Sequence, residues 1–446
     1  MADERYDVAV IGGGASGLAA AIAAARAGAR VVAIERDVAC GPSILATGNG
    51  RCNLGNARLD PARYRDPAAA RAVMGERPEA ACAAFFDSLG IMTCSIEGRL
   101  YPVTRRAESV RDALLAAAAR AGAAMRCGCE VRAARWADGA WELAVREPDH
   151  PVRVGRDGSG KLDLRRARKA LGAARSVDRR VRARRLIIAV GGSSEGMCRM
   201  FGLPHHPDAP VLCPVACRPA GRGLDAAFRA LDGLRVEGAL SLARGDGEPY
   251  REEGEVLFRA YGLSGIAAFD LSRRARPGDA IELDLFPDLG IGDLIGAMRH
   301  REGAVGAFDG SDPAWFDGML ARPLAAFVAQ MLAGEIAPVS DGLRGDALTR
   351  AAKLVKAIPF EVEGLAEARQ AQVRRGGVPL GAIDLGTLEV RADADAAAPG
   401  IHVCGEALDQ DADCGGFNLA WAWLSGLRAG RAAAKATLTG KGGGAA

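Results

Sequence analysis

The first residues to form a pattern are Tyr6–Ile11, apolar at every position but Asp7, and the run predicts a short buried strand. Gly12-Gly13-Gly14-Ala15-Ser16-Gly17 breaks it. Leu18–Ala27 is almost wholly small and apolar, which predicts a helix, and Gly28 closes that helix. Ala29–Ile34 is a second apolar strand, ended by Glu35. Strand, glycine turn, helix and strand together make one parallel βαβ unit. Further strands are predicted at 141–146, 186–190 and 401–406, and a helix at Leu419–Lys435 carrying Trp421, Trp423 and Leu427. Between 195 and 370 the pattern changes. Strand-like pieces stand at 211–218, 234–244, 255–258 and 280–286, and helical pieces at 291–305, 313–333 and 345–357. Arg259, Tyr261, Leu263, Ser264 and Gly265 form a loop-like motif that suits either a substrate wall or domain packing.

The first turn is a GxGxxG motif in its full strand–turn–helix–strand–acid context. Gly12 permits the tight turn, Gly14 lets backbone approach a pyrophosphate, and Gly17 lets the helix pack closely on the strand. The helix N-terminus offers unbonded N–H groups and the positive end of the dipole. Glu35 can accept hydrogen bonds from ribose hydroxyls and disfavours a 2′-phosphate, so FAD or NAD fits better than NADP. Residues 39–53 are Gly- and Asn-rich and suit a flavin, with backbone amides along the pyrophosphate and the ring edge. Leu186–Ser193 is a strand ending in Gly191-Gly192, where the chain can pass close to the cofactor. Ile401–Glu406 ends in Gly405-Glu406, suited to gripping a ribityl hydroxyl. Asp409, Asp411, Asp413, Cys414, Gly415, Gly416, Phe417, Asn418 and Leu419 follow. The aspartates lack the distal Glu of a calcium loop. Asn418 fits two roles, N-cap of the last helix or direct flavin contact.

Composition narrows the class. The chain has 446 residues, enough for about three domains or two large ones. Gly is abundant, at 58 residues, but has no three-residue period, which excludes collagen. The net charge of +3 hides an asymmetry: residues 151–185 hold 13 Lys/Arg and 3 Asp/Glu, a local +10, so the rest of the chain carries −7. No aromatic residue interleaves that basic run, so stacking on single-stranded nucleic acid is not indicated and a nucleic-acid partner is not expected. The run reads as a solvated, partly mobile surface insertion extending a hairpin. Eleven Cys without a CxxC predict reduced thiols and a cytoplasmic protein. Cys213, Cys217, His205 and His206 lack zinc-site spacing, and no metal is expected. Cys52, beside Arg51 in the glycine-rich loop, invites a lowered pKa but has no well-spaced partner thiol, and a packing or flavin-contact role is expected. Ala15–Ala25 resembles a signal peptide, but Asp3, Glu4 and Asp7 precede it, and no run predicts a transmembrane helix. His402 lies in a strand and reads as structural, which leaves no candidates for Ser-His-Asp or metal hydrolysis.

The segments GGGASGLAAA, ATGNGRCNLGN, EVLFRAYGLSGIAAF, AQVRRGGV and GEALDQDADCGGFNLAWAW carry a resemblance. The chain resembles one bacterial family of FAD-dependent flavoproteins, the NAD(P)/FAD-dependent oxidoreductases that include aminoacetone-oxidase-like and bile-acid-reductase-like members. The resemblance implies an α/β fold: a Rossmann-like FAD-binding domain built from both chain ends, with an inserted β-barrel-like and helical region. The implied boundaries are 1–194 with 371–446 for the FAD domain, 195–290 for the β-rich insert and 291–370 for the helical one. The implied cofactor-binding residues are Gly12, Gly14, Ala15, Ser16, Gly17, Glu35, Arg36, Ser43, Thr47, Gly48, Asn49, Gly50, Arg51, Cys52, Asn53 and Val131 in the first half. Gly191, Gly192, Gly405, Glu406, Asp409, Gly415, Gly416, Phe417, Asn418 and Leu419 complete the set. Pro42, Ser43, Arg259, Ala260, Arg374 and Arg375 depart from the family pattern, so the substrate does not carry across.

The expected function is hydride transfer through flavin N5 between a nicotinamide donor, NAD(P)H, and a small organic substrate, such as an enone or steroid-like compound reduced at C=C. An FAD amine oxidase making hydrogen peroxide and a non-catalytic RNA-associated flavoprotein are the alternatives. The sequence assigns no catalytic acid or base and no oligomeric state.

Overall fold

A computed structural model describes residues 4–158, 160–242, 249–310, 312–334, 345–392 and 399–439. They form two compact units, Met1–Ala209 with Val373–Ala446, and Pro210–Gln372.

In the first unit the βαβ opening consists of β1, Glu4–Ile11, α1, Ala15–Arg26, and β2, Val31–Glu35. β1 pairs in parallel with β2 on one side and with Ser176–Ile188 on the other. β2 pairs in parallel with Ala124–Cys127. The far edge of Ser176–Ile188 has two partners: Ala140–Pro148 antiparallel along its first part, and Ile401–Val403 in parallel along its last three residues. Glu130–Ala137 completes a seven-stranded sheet. Successive residues Val8–Val10, Val31–Ile34 and Leu186–Ile188 are all buried. Neighbours in a strand point to opposite faces, so both faces of the sheet are covered, as unbroken apolar runs require.

The last helix, Phe417–Thr439, lies against α1 with almost no side chain between them. A Cβ on Gly426 would stand 2.4 Å from the Ser16 carbonyl oxygen, and one on Gly430 2.3 Å from that of Ala20. This contact accounts for the small residues of Ala15–Ala25, whose resemblance to a signal peptide reflects helix packing.

The basic segment 151–185 divides at Ser176. Leu164–Ala173 is a largely exposed helix with Ala167 buried. Ser176–Arg185, expected in the surface insertion, instead forms most of the central strand, with Val181 and Ala183 buried. Its arginines alternate with those apolar positions, and their charge hid a period-2 pattern.

In the second unit six strands close a barrel, in the order Val215–Pro219, Gly262–Ser264, Tyr250–Arg259, Arg235–Leu242, Ala280–Asp284 and Ile358–Leu365. Helices Ile291–Val305, Arg322–Ala333 and Ala347–Lys356 share one apolar core with the barrel, where Phe228 meets Phe258, Phe327 and Phe360. Residue 290 is therefore no boundary: Ile358–Leu365, from the part expected to be helical, is a barrel strand. The strand expected at 234–244 is Arg235–Leu242, and residues 243 and 244 lie outside the described residues. The helix expected at 313–333 is a turn, Pro313–Phe316, and a helix that Pro323 opens. The Gly262–Ser264 strand absorbs part of the loop-like motif, and a Cβ on Gly262 would meet Val215 O at 2.1 Å, which favours its packing role. Among the described residues no helix is long and apolar enough to cross a membrane.

Pro148 and Ser176 are paired neighbours, so a two-residue turn can join them. Removing residues 149–175 with such a turn is expected to leave a folded protein whose unfolding midpoint moves by no more than about 5 °C. Removing 149–185 takes away most of a central strand and is expected to abolish folding. Circular dichroism and thermal unfolding of the two deletions check both outcomes, and an unfolded 149–175 deletion would make the basic helix structural.

Candidate functional site

α1 starts behind Gly14, and no side chain caps it. Its first ladder bond runs from Leu18 N–H to Gly14 O at 2.9 Å. The N–H groups of Ala15, Ser16 and Gly17 therefore lie outside the helix ladder, at the positive end of the dipole. A Cβ on Gly14 would meet only Ser43 Oγ, at 3.6 Å. Gly12 and Gly17 face the other way. Gly12 has φ +110°, and a Cβ there would stand 2.3 Å from Ala189 O; one on Gly17 would stand 2.0 Å from Gly12 O. Two glycines close the turn against the sheet, and the third keeps its outer side clear.

Glu35 ends β2 and is held by two backbone donors, Gly13 N–H at 2.6 Å and Asp37 N–H at 2.7 Å. Arg36 beside it is exposed, as is Ser43 opposite Gly14. In Thr47–Asn53, Gly48, Asn49, Gly50 and Cys52 all have positive φ, and Gly48–Arg51 are exposed. The loop is held by Arg51 N–H on Gly48 O and Cys52 N–H on Thr47 O, each 3.1 Å. A left-handed non-glycine residue such as Cys52 costs about 1–2 kcal/mol, and such strain collects at ligand-binding loops. Burial pushes the Cys52 thiol up to about 12, which corrects the notion of a lowered pKa there. Asn53 Oδ1 is buried with no hydrogen-bond partner and lies 2.7 Å from where a Cβ on Gly416 would stand.

Gly405 packs on Ser16, whose Oγ would lie 2.3 Å from a Cβ there, and its N–H donates to Ser425 Oγ at 2.9 Å. Glu406 accepts the Arg374 N–H. Its Oε1 would lie 2.7 Å from a Cβ on Gly192, which follows the left-handed Gly191. Burial pushes the Glu406 carboxyl up to about 7. The pyrophosphate-type turn, the paired glycines and the Gly-acid motif thus meet around the start of α1, and Asn53 meets the start of the last helix.

The aspartate run is occupied by cations of the chain itself. Asp409 pairs with Arg65, Asp413 with Arg63 at 3.2 Å, and Asp411 with both Nε (2.8 Å) and Nη2 (3.1 Å) of Arg375. Asp409 also takes Gly376 N–H at 3.0 Å and lies 2.7 Å from His206 Nδ1. Asn418 does not take the first of its two expected roles, N-cap of the last helix. It is the second residue of a helix starting at Phe417 and pins the aspartate run instead, accepting Ala412 N–H at 2.9 Å and donating to the carbonyls of Ala412 (2.8 Å) and Asp413 (3.2 Å). Gly415 O accepts from Asn56 Nδ2, Phe417 O from the Tyr64 hydroxyl, and Leu419 is partly buried against the core. Val131 is buried in its strand opposite Val145. Burial pushes the Cys217 thiol up to about 12, and His205 lies 3.3 Å from Asp208. Among the described residues no His, Cys, Asp and Glu groups are arranged to hold a metal.

Sequence reasoning missed Arg63 and Arg65, and the use of His206 and Arg375. The available signal was three aspartates within five residues ahead of an apolar helix, since buried carboxylates need partners. Which arginines supply them depends on the fold.

Residues 6–151 match the HI0933-like protein Rossmann domain, and residues 218–373 the HI0933-like protein barrel and H2TH domain. The 3-dehydro-bile acid delta(4,6)-reductase of Clostridium scindens is 30% identical over 447 residues, covering 96% of this chain and 99% of that protein. The ribosomal RNA dihydrouridine synthase of Escherichia coli is 25% identical over 445 residues, covering 95% and 96%. The solved 3-ketosteroid-delta4-(5alpha)-dehydrogenase of Rhodococcus jostii is 14% identical with a TM-score of 0.46, covering 97% and 98%.

The site fits a flavin dinucleotide on three observations: an uncapped helix start, clear space at Gly14, and an unpartnered acceptor at Asn53. Gly14 has φ −78° and ψ −162°, extended backbone that valine adopts readily. Gly14→Val is therefore expected to fold normally while its branched side chain fills the cradle and weakens FAD binding by at least about tenfold. Flavin absorbance of the purified variant measures this, and a fully yellow Gly14→Val protein would remove the cradle assignment.

Proposed function

The chain belongs to the HI0933-like family of FAD-dependent oxidoreductases, and from that membership we propose that it reduces a carbon–carbon double bond conjugated to a carbonyl in a small organic substrate, with a nicotinamide as electron donor. The observation that carries this is the match to the bile acid reductase, which runs nearly end to end on both chains. The two relatives' names share one chemistry. Each describes saturation of a C=C bond beside a carbonyl, in a 3-oxo bile acid or in the uracil ring.

In this reading Gly14–Gly17 and Ser43 receive the pyrophosphate, and Glu35, Arg36 and Val131 flank the adenosine. Thr47–Asn53, Gly191, Gly192, Gly405, Glu406, Gly415 and Gly416 follow the ribityl chain and ring. Bound FAD supplies hydride chemistry at N5. The chain supplies the proton. Hydride addition to the β-carbon of an enone leaves the α-carbon to be protonated, and His206 is suited to that task. Its side chain is 57% exposed, so the ring is reachable, and Asp409 engages Nδ1. Arg65 and Gly376 N–H hold the Asp409 carboxylate in turn. Nε2 is thereby left as the nitrogen that delivers a proton, the orienting arrangement of an acid–base histidine.

The test is anaerobic and watches colour. NADH or NADPH should bleach the yellow holoenzyme, and a 3-oxo-Δ4 steroid should restore the colour with gain of two hydrogens in the product. His206→Asn should keep FAD and bleach at the normal rate, but recolour with the enone about 100-fold more slowly. No recolouring with any enone would overturn the reaction class, and an unchanged recolouring rate in His206→Asn would overturn the histidine's role. A second reading, uridine in RNA, has support from the 25% relative and from the exposed basic helix Leu164–Ala173. Recolouring by RNA but not by steroid, with salt-sensitive association, would select it.

A further inference from the structure

Three thiols from two distant segments, Cys40 and the pair Cys127 and Cys129, gather around Glu35. Cys127 ends its strand as the register partner of Glu35, and Cys129 donates its N–H to Glu35 O at 2.8 Å. Cys40 lies on the turn between β2 and the short helix Pro42–Ala46, and its sulfur is 3.3 Å from that of Cys127. The Cys40 sulfur also underlies the glycine turn: a Cβ on Gly13 would stand 2.5 Å from it. Gly13 is tied to the same turn, accepting Gly41 N–H at 2.8 Å and donating its own N–H to Glu35. This sulfur is part of the floor beneath the cofactor turn.

We propose that Cys40 and Cys127 form a reversible disulfide, driven by small-molecule disulfides of the glutathione type, that loosens the FAD turn from below. A disulfide bond of about 2.05 Å requires the two sulfurs to close by roughly 1.2 Å, a shift within reach of a loop. Cys127 is partly exposed and Cys40 is buried, which sets the order of attack. The Cys40 thiol, bonded to the Cys127 sulfur, holds the Cys127 thiol below its ordinary range, while that bond and burial push Cys40 up. The Cys127 thiolate attacks glutathione disulfide, forming a mixed disulfide and expelling one glutathione thiolate. The Cys40 sulfur then attacks the Cys127 sulfur and expels the second. Two protein thiols lose two electrons and two protons, and one glutathione disulfide becomes two glutathione thiols. Cys129 is not the partner. Its sulfur faces Cys127 O (3.4 Å) and Glu147 (3.7 Å), and burial pushes its thiol up to about 11.

The two sides of the new bond yield unequally. Cys127 is fixed by strand pairing to β2. The Cys40–Gly41 turn, with Gly41 at φ +76°, is irregular backbone and moves instead. It withdraws from Gly13, which loses its support and the Gly41 N–H bond. FAD is expected to dissociate at least about tenfold more readily from the oxidised protein.

The test uses the full-length yellow protein and glutathione disulfide. After oxidation, alkylation and digestion, a peptide linking Cys40 to Cys127 is expected, with flavin fluorescence released into the filtrate. Dithiothreitol should reverse both. Cys127→Ser and, as a second variant, Cys127→Ala should form no such link and keep their flavin under the same treatment. Linkage of Cys127 to Cys129, a persistent glutathione adduct, or full alkylation of both thiols in the natural chain would overturn the disulfide. A Cys40–Cys127 link with flavin retention unchanged would overturn its effect on the cofactor turn. These outcomes are independent of which substrate the enzyme reduces.

Discussion

Backbone contact between α1 and the last helix is the constraint from which the site follows. Ser16 and Ala20 carbonyls lie where Gly426 and Gly430 would carry side chains. A single methyl inserted into a packed seam costs about 1–3 kcal/mol. The seam therefore demands glycine on one helix and small residues on the other, and it joins chain ends some 400 residues apart. The same seam brings Gly405 onto Ser16 and carries the loop of residues 405–416 to the start of α1. The glycine turn near the N-terminus and the Gly405-Glu406 motif near the C-terminus come together because two helices touch without side chains between them.

The loop so positioned is fixed by charge as well as by the buried Ala407, Leu408 and Ala412. Asp409, Asp411 and Asp413 are buried, and their arginines come from two distant places, Arg63 with Arg65 and Arg375. The carboxylates are buried while the arginine side chains reach solvent, so screening weakens each single pair, and it is the several contacts together that hold the segments. Asn418 adds three hydrogen bonds that join this run to the last helix. The rigidity matters to His206, whose ring direction depends on a carboxylate that other groups already hold.

Much of the first unit was legible because its signals are local. The β1–α1–β2 pattern, the glycine turn and Glu35 lie within one continuous stretch, and each residue type follows from its own neighbours. Legibility failed where position depends on distant partners. Ser176–Arg185 looked like a surface segment because arginines on one face outnumbered Val181 and Ala183 on the other. A cap was one of two roles open to Asn418 because helix starts favour asparagine, yet its side chain bonds the backbone of the preceding loop. The Cys40–Cys127 contact and the Asp409–His206 pair span 87 and 203 residues. No spacing rule reaches that far. In the second unit the barrel pieces were visible, but closure by Ile358–Leu365 was not, since that strand follows three helices before returning to the barrel.

The glycines of the cofactor turn divide folding from binding within six residues. At Gly12 and Gly17 the missing side chain is replaced by the chain's own carbonyls, so any larger residue strikes backbone and disturbs the sheet. At Gly14 a side chain would meet only Ser43 Oγ, at ordinary contact distance, and the backbone is in a conformation open to other residues. The same contrast recurs at Asn53 and Asn418: one has a buried acceptor with no partner, the other has both side-chain polar atoms engaged in holding the loop. The uncapped start of α1, the clear side of Gly14 and the unpartnered Asn53 Oδ1 all belong to the unit built from the two chain ends, and these are the features on which the FAD reading rests.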